Sequence, residues 1–211
     1  MKISARQKIW FVFSIIALLL FVGFTMIVKF VDVDQVGLAH LNQSFWRLCG
    51  QNQIWEMITD WLGYLLILAL LGLIVFQVWQ WISRKSLSRV DRNLLWLDVI
   101  CVCLVAVYLF FEIVIINYRP LLDHGEAKAS YPSSHVMLFA TLLPLLMWQV
   151  WYYINSKPWR ITLTVLLCGL LVIGSVGRLL SGVHWLTDVI AALIISGALN
   201  CLYLAVVKNH K

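Results

Sequence analysis

Long apolar runs separated by short polar clusters dominate the chain. A hydrocarbon core about 30 Å thick takes about 20 apolar residues of helix. Six runs approach that length, at residues 9–28, 61–82, 94–116, 136–154, 161–177 and 189–207. The first two carry no charge, and the third is interrupted only by Asp98 and Glu112. The fourth contains Pro144, which membrane helices tolerate better than soluble ones. The first run follows a basic start (Lys2, Arg6, Lys8), as a signal peptide would. It is long for that role and no clear small-residue cleavage site follows, so an uncleaved first span is expected. The pattern predicts an all-α polytopic membrane protein, with six transmembrane helices in one integral-membrane domain over residues 1–211.

Composition agrees. The chain is 62% hydrophobic and 12% charged, with a mean hydropathy of +0.89. That excludes a water-soluble globule, which is nearer half apolar and a quarter charged. Five cysteines, an odd number with Cys101, Cys103, Cys168 and Cys201 in apolar runs, argue against a secreted disulfide scaffold. The net charge of +6 would suit nucleic acid if the charges were clustered for it. Instead, 11 of the 16 Lys and Arg residues fall at the N-terminus, Ser83–Arg92, Asn155–Arg160 and the C-terminal tail, all on one side of the six spans. Both termini are therefore expected in the cytoplasm of a cell-membrane protein, with nucleic acid excluded as a partner. Most of the His, Asp and Glu residues fall on the other side, so an active site is expected at the outer face. The outer segment Phe30–Asp60 reads either as an interfacial cap rich in Trp and amides or as a lid or lipid entrance over that site.

Three outer stretches gather ionisable residues, which are costly at a membrane edge and need a partner or a task. They are Asn117-Tyr118-Arg119-Pro120, Tyr131-Pro132-Ser133-Ser134-His135, and Gly177-Arg178 followed by His184 and Asp188. His184 and Asp188 are spaced to share a helix face, where the carboxylate accepts from one ring nitrogen and leaves the other as a nucleophile. Pro132-Ser133-Ser134 resembles a helix start, whose free N–H groups attract an anion, and His135 would stand in its first turn. Arg119 and Arg178 supply guanidiniums for phosphate oxygens. A haem held by paired histidines is a competing reading, but it leaves the arginines and the Pro-Ser-Ser-His turn without a task.

At these residues the chain resembles the type-2 phosphatidic acid phosphatase superfamily, the lipid phosphate phosphatases, whose motifs read K-x6-R-P, P-S-G-H and S-R-x5-H-x3-D. Arg119-Pro120, Pro132-Ser133-Ser134-His135, and Arg178, His184 and Asp188 carry the resemblance. It implies a membrane phosphatase acting on a lipid phosphate or diphosphate, with no metal or other cofactor. His184 would attack phosphorus to give a phosphohistidine, oriented by Asp188. His135 would protonate the departing group and then activate water, while Arg119, Arg178, Ser133 and Ser134 hold the phosphoryl oxygens. Undecaprenyl diphosphate and phosphatidylglycerophosphate are the substrates that bacterial relatives suggest. A phosphotransferase using the same histidine, or a weakened homologue that binds lipid headgroups, are the alternatives.

Three positions depart from the motifs. Glu112 stands where the first motif has lysine, Ser134 replaces a glycine, and Gly177 replaces a serine. The last two exchanges keep a small residue and are expected to be mild. Glu112 is expected to position Arg119 or Arg178 through a salt bridge, or else to read a cationic or hydroxylated headgroup. Lys128 is a candidate for restoring the lost positive charge, with Asp123, His124 and Glu126 beside it as solvated loop residues.

Overall fold

The computed structural model describes residues 4–34, 36–121 and 127–207. Asp123, His124 and Glu126, and the terminal Lys2, Lys208 and Lys211, lie outside the described residues. The helices are α1 (Ala5–Phe30), α2 (Ala39–Cys49), α3 (Gln53–Arg84), α4 (Arg92–Ile113), α5 (Ser134–Tyr153), α6 (Lys157–Leu180) and α7 (Leu186–Val206). All but α2 are long and apolar enough to cross a membrane, and the protein is multi-pass. Six spans were expected, and six are found.

Capping side chains set several boundaries. Ser4 and Gln7 form a capping box that starts α1. The Asn52 side chain accepts from the Ile54 amide at 2.9 Å and starts α3 at Gln53 rather than at Trp61, where the apolar run begins. With 32 residues, α3 is about 48 Å long and overshoots the apolar slab. Its first turns, carrying Glu56, Thr59 and Asp60, are thereby helical. In contrast, α4 stops at Ile113, short of Ile116, and the chain turns into a hairpin. Tyr118 pairs with Ala129, the Arg119 amide donates to the Lys128 carbonyl, and the Ser130 amide donates to that of Asn117.

Helices α5 and α7 form the centre of the bundle. α7 packs on α1, α4, α5 and α6, and α5 on α3, α4, α6 and α7. Consecutive helices α3 and α4 do not pack along their length, and a cleft lies between them.

Few polar groups enter the bundle, and most find partners. Pro144 has no N–H to give to the Ala140 carbonyl one turn earlier. Asn200 of α7 supplies the missing donor, its Nδ2 lying 2.8 Å from that oxygen. Ser196 bridges the same two helices by accepting from Thr141 and donating to the Met137 carbonyl. At the basic end, Asn93 Nδ2 donates to Gln149, Gln149 Nε2 to Tyr203, and the Tyr203 hydroxyl to the Asn93 carbonyl, closing a ring across α4, α5 and α7. Asp98, the acid inside the third run, accepts from Gln77 at 3.1 Å.

Replacing Asn200 by Leu should strand the Ala140 carbonyl and cost about 1–3 kcal/mol of stability, read as a lower thermal unfolding midpoint in detergent. Adding Pro144→Ala, which restores the N–H, should recover most of the loss.

Candidate active site

Helix α6 ends in a tight turn, and there Gly182 adopts φ +73°, a conformation that favours glycine. A Cβ at this position would also lie 2.6 Å from the Gly50 carbonyl. Helix α2 sits over the turn. Trp46 Nε1 donates to the Gly182 carbonyl at 2.9 Å, and the Asn42 amide both gives to and takes from Thr187. This part of Phe30–Asp60 thus packs as a cap on the α6–α7 turn.

The turn delivers His184, which is 3% exposed. Its Nδ1 lies 3.1 Å from the Ser130 carbonyl oxygen, a pure acceptor, so Nδ1 carries the proton in the neutral ring. The lone pair is then on Nε2, which is buried without a partner. The direct Asp188 contact expected from the sequence is longer than a hydrogen bond, with Nδ1 and Oδ2 3.7 Å apart. Ser130 fills the gap: its hydroxyl donates to Asp188 at 2.5 Å and lies 3.2 Å from Nδ1. Asp188 also accepts from the Trp185 amide and from Asn117 Nδ2. The i,i+4 spacing failed to give a direct bond because His184 precedes α7, so the two residues do not share one helix face.

Arg178, in the last turn of α6, is 2% exposed. Its Nη1 donates to Asp60 Oδ1 at 2.8 Å and to Thr59 Oγ1 at 3.0 Å, both on α3. The same Asp60 oxygen lies 3.2 Å from His135 Nε2. Asp60 thus occupies the role expected of Glu112, and no ion pair joins Glu112 to Arg119 or Arg178 among the described residues. Glu112 instead interacts with Tyr108, one turn earlier on α4. The close approach of α3 to α6 requires Gly177. A Cβ there would fall 2.7 Å from Thr59 Cγ2 and 3.0 Å from Trp55 Cε3. The exchange of serine for glycine at 177 is therefore not the mild one expected.

Helix α5 begins at Ser134, and Met137 is the first residue whose amide bonds to a carbonyl of the same helix start, that of Ser133. The amides of Ser134, His135 and Val136 have no intrahelical acceptor, and the positive end of the helix is at the site. The Ser133 amide, expected to face an anion, is instead taken by the Asp188 carbonyl at 3.1 Å. Two cavities adjoin these groups. A small one touches Glu112, Arg119, Ser134 and His184. A cleft of about 520 Å³ touches Arg119, Ser134, His135 and Arg178 at its head, and Tyr64, Ile67, Leu104 and Val105 along its apolar walls. Tyr64, Ile67 and Val105 are exposed on membrane-spanning helices, so the cleft opens sideways between α3 and α4. Lys128 lines neither cavity, and its carbonyl supports Arg119.

Eight buried side-chain polar atoms among the described residues lack a partner, and five belong to this cluster: Arg119 Nε, Ser133 Oγ, His135 Nδ1, Arg178 Nε and His184 Nε2. Stranding so many buried polar atoms in one place is costly unless a ligand satisfies them.

The model of the PAP2 superfamily matches residues 60–211. The chain belongs to the PAP2 superfamily. Its fold is similar to the crystal structure of a transmembrane PAP2-type phosphatidylglycerolphosphate phosphatase from Bacillus subtilis, with a TM-score of 0.63 at 16% identity over 90% of this chain and 94% of that one. No curated protein matches the sequence. The family match begins at Asp60, an acid that the hydropathy pattern leaves at the end of a loop. A signal for it was present: Glu56 and Asp60 are four residues apart immediately before an apolar run, where an ionisable residue needs a partner. Ser130 and Thr59 carried no comparable signal.

Gly177→Ser should drive α3 away from α6 and weaken the Asp60–Arg178 pair. The expected result is a lower thermal unfolding midpoint and weaker protection by orthovanadate, a phosphate mimic, while Gly72→Ala, with open space around its Cβ, should change neither.

Proposed function

We propose that this protein is a membrane lipid phosphatase that works through a phosphohistidine on His184, with its site at the outer leaflet. The observation that carries this reading is the set of unpartnered polar atoms on Arg119, Ser133, His135, Arg178 and His184, with Arg119, His135 and Arg178 at the head of a cleft with apolar walls and His184 and Arg119 in the small cavity beside it. Phosphoryl oxygens would take up the arginine and Ser133 donors and the free amides at the start of α5. The lipid tail would lie along Ile67, Leu104 and Val105. Family membership, and the likeness in fold to a phosphatase of phosphatidylglycerolphosphate, support a lipid phosphate as the substrate class.

In the first half-reaction, the His184 Nε2 lone pair attacks phosphorus and the bond from phosphorus to the lipid oxygen breaks. His135 donates a proton to that oxygen, so a lipid alcohol leaves when the substrate is a monophosphate. In the second, water attacks phosphorus, the N–P bond breaks, and His135 takes the water proton. Inorganic phosphate and the starting histidines result. Negative charge developing on the phosphoryl oxygens is met by Arg119, Arg178 and the α5 amides. Asp188 and Ser130 hold the His184 tautomer. The basic end of the bundle, with Arg84, Arg89, Arg92, Lys157 and Arg160, would face the cytoplasm by the positive-inside rule.

His184→Ala should lower phosphate release from a lipid phosphate by at least about a thousandfold, and acid-labile radiolabel should no longer be trapped on the protein. Retained release in this variant would overturn the mechanism. Product analysis distinguishes hydrolysis, which gives free phosphate, from transfer to another lipid.

The His184 imidazole is held below its ordinary value chiefly by burial, reinforced by Arg178 and Arg119 and opposed by Asp188. A depressed value keeps the ring neutral, with its lone pair available, to lower pH. The acidic limb of kcat/KM due to His184 should therefore lie below about pH 6.5. Asp188→Asn removes the opposing carboxylate and should not move that limb upward.

A further inference from the structure

We infer that the site takes the monophosphate of a lipid alcohol and discriminates against lipid diphosphates. This inference rests on the phosphatase reading above and names the substrate class of the same site.

In-line displacement puts the leaving oxygen opposite His184 Nε2, on the His135 side of phosphorus. Among the described residues, the charged groups found there are Asp60, which is paired with Arg178, and the unpaired carboxylate of Glu56. Asp60 Oδ1 lies 3.2 Å from His135 Nε2, and Glu56 stands one turn earlier on the same helix, lining the same cleft. In the adjoining small cavity, Glu112 stands beside Arg119. Among the described residues lining the two cavities, the fixed cations are Arg119 and Arg178, and the anions are Glu56, Asp60 and Glu112. Arg178 commits Nη1 to Asp60 and keeps an unpartnered Nε.

The guanidiniums and the α5 amides together suit one phosphoryl group, which carries about two negative charges near neutral pH. A monophosphate then presents only an alcohol oxygen to the carboxylate side. That oxygen leaves uncharged after protonation by His135, and its chain continues between apolar walls. A diphosphate would put its inner phosphate there instead, with further anionic oxygens beside Asp60 and Glu56. Juxtaposed like charges oppose binding. The expected lysine position, occupied by Glu112, adds repulsion where a cation would have offset the extra charge.

The test uses the full-length protein in detergent and a pair of isoprenyl substrates of equal chain length, one a monophosphate and one a diphosphate. The expected kcat/KM for phosphate release favours the monophosphate by about tenfold or more. Glu56→Gln and Glu112→Gln, each checked for an unchanged unfolding midpoint, should narrow this ratio by about threefold or more, mainly through a lower KM for the diphosphate. A diphosphate turned over as well as or better than the monophosphate overturns the inference and leaves the phosphatase reading standing. Carboxamide variants that fold normally but leave the ratio unchanged also overturn it. Inertness towards both substrates and towards phosphatidic acid overturns the phosphatase reading, and the inference with it.

Discussion

A guanidinium taken out of water at the end of a membrane helix has to be neutralised, and much of this site follows from how that is done for Arg178. Its partners, Asp60 and Thr59, lie on α3, 118 and 119 residues away in sequence. Bringing a carboxylate and a hydroxyl to that depth forces α3 and α6 close together, and a side chain at 177 would keep them apart. The same Asp60 oxygen reaches His135, so the pair that neutralises the arginine also places the imidazole on α5. A surface ion pair contributes little to stability. Here one partner is almost wholly buried, and losing the other would leave an uncompensated charge at the bundle edge.

The membrane spans were legible because the bilayer leaves few solutions: apolar runs of sufficient length become helices, whatever their neighbours. His184, Arg178, Arg119 and His135 were legible for a related reason, since so few ionisable residues stand between the apolar runs at that end of the bundle. What could not be read was which group each one meets. Glu112 is near Arg119 in sequence and was the natural candidate for an ion pair, yet Asp60 makes it. Asp188 is four residues from His184, yet Ser130 stands between them. Both differences share one cause. Local spacing suggests partners, but tertiary packing sets them, across turns that stop the helices early. Gly177 is the same lesson in steric form, because a small residue reads as permissive in the sequence and is obligatory in the packed structure.

The two ends of the bundle handle polarity in opposite ways. At the basic end, Asn93, Gln149 and Tyr203 close a ring, and Gln80, Arg84 and Tyr153 converge on Asp91. At the opposite end, donors and lone pairs on five side chains are left open. In the middle, Asn200 repairs the gap that Pro144 makes in α5. The central helix α5 is thus braced along its length and left unsatisfied only at its first turn. Rigid support around open valences is the arrangement that pre-organises a binding site.

The separation of α3 from α4 also bears on how a ligand arrives. A cleft that opens sideways at Tyr64, Ile67 and Val105 suits entry from within a leaflet, by which an amphiphile would arrive through two-dimensional diffusion without leaving the hydrocarbon. Occupancy then follows the ligand's mole fraction among surrounding lipids rather than its concentration in water. Diluting the protein and its ligand together in a larger volume of buffer leaves that fraction unchanged, whereas adding inert lipid lowers it. Water-soluble phosphates, however abundant, have no hydrocarbon chain with which to occupy the apolar walls.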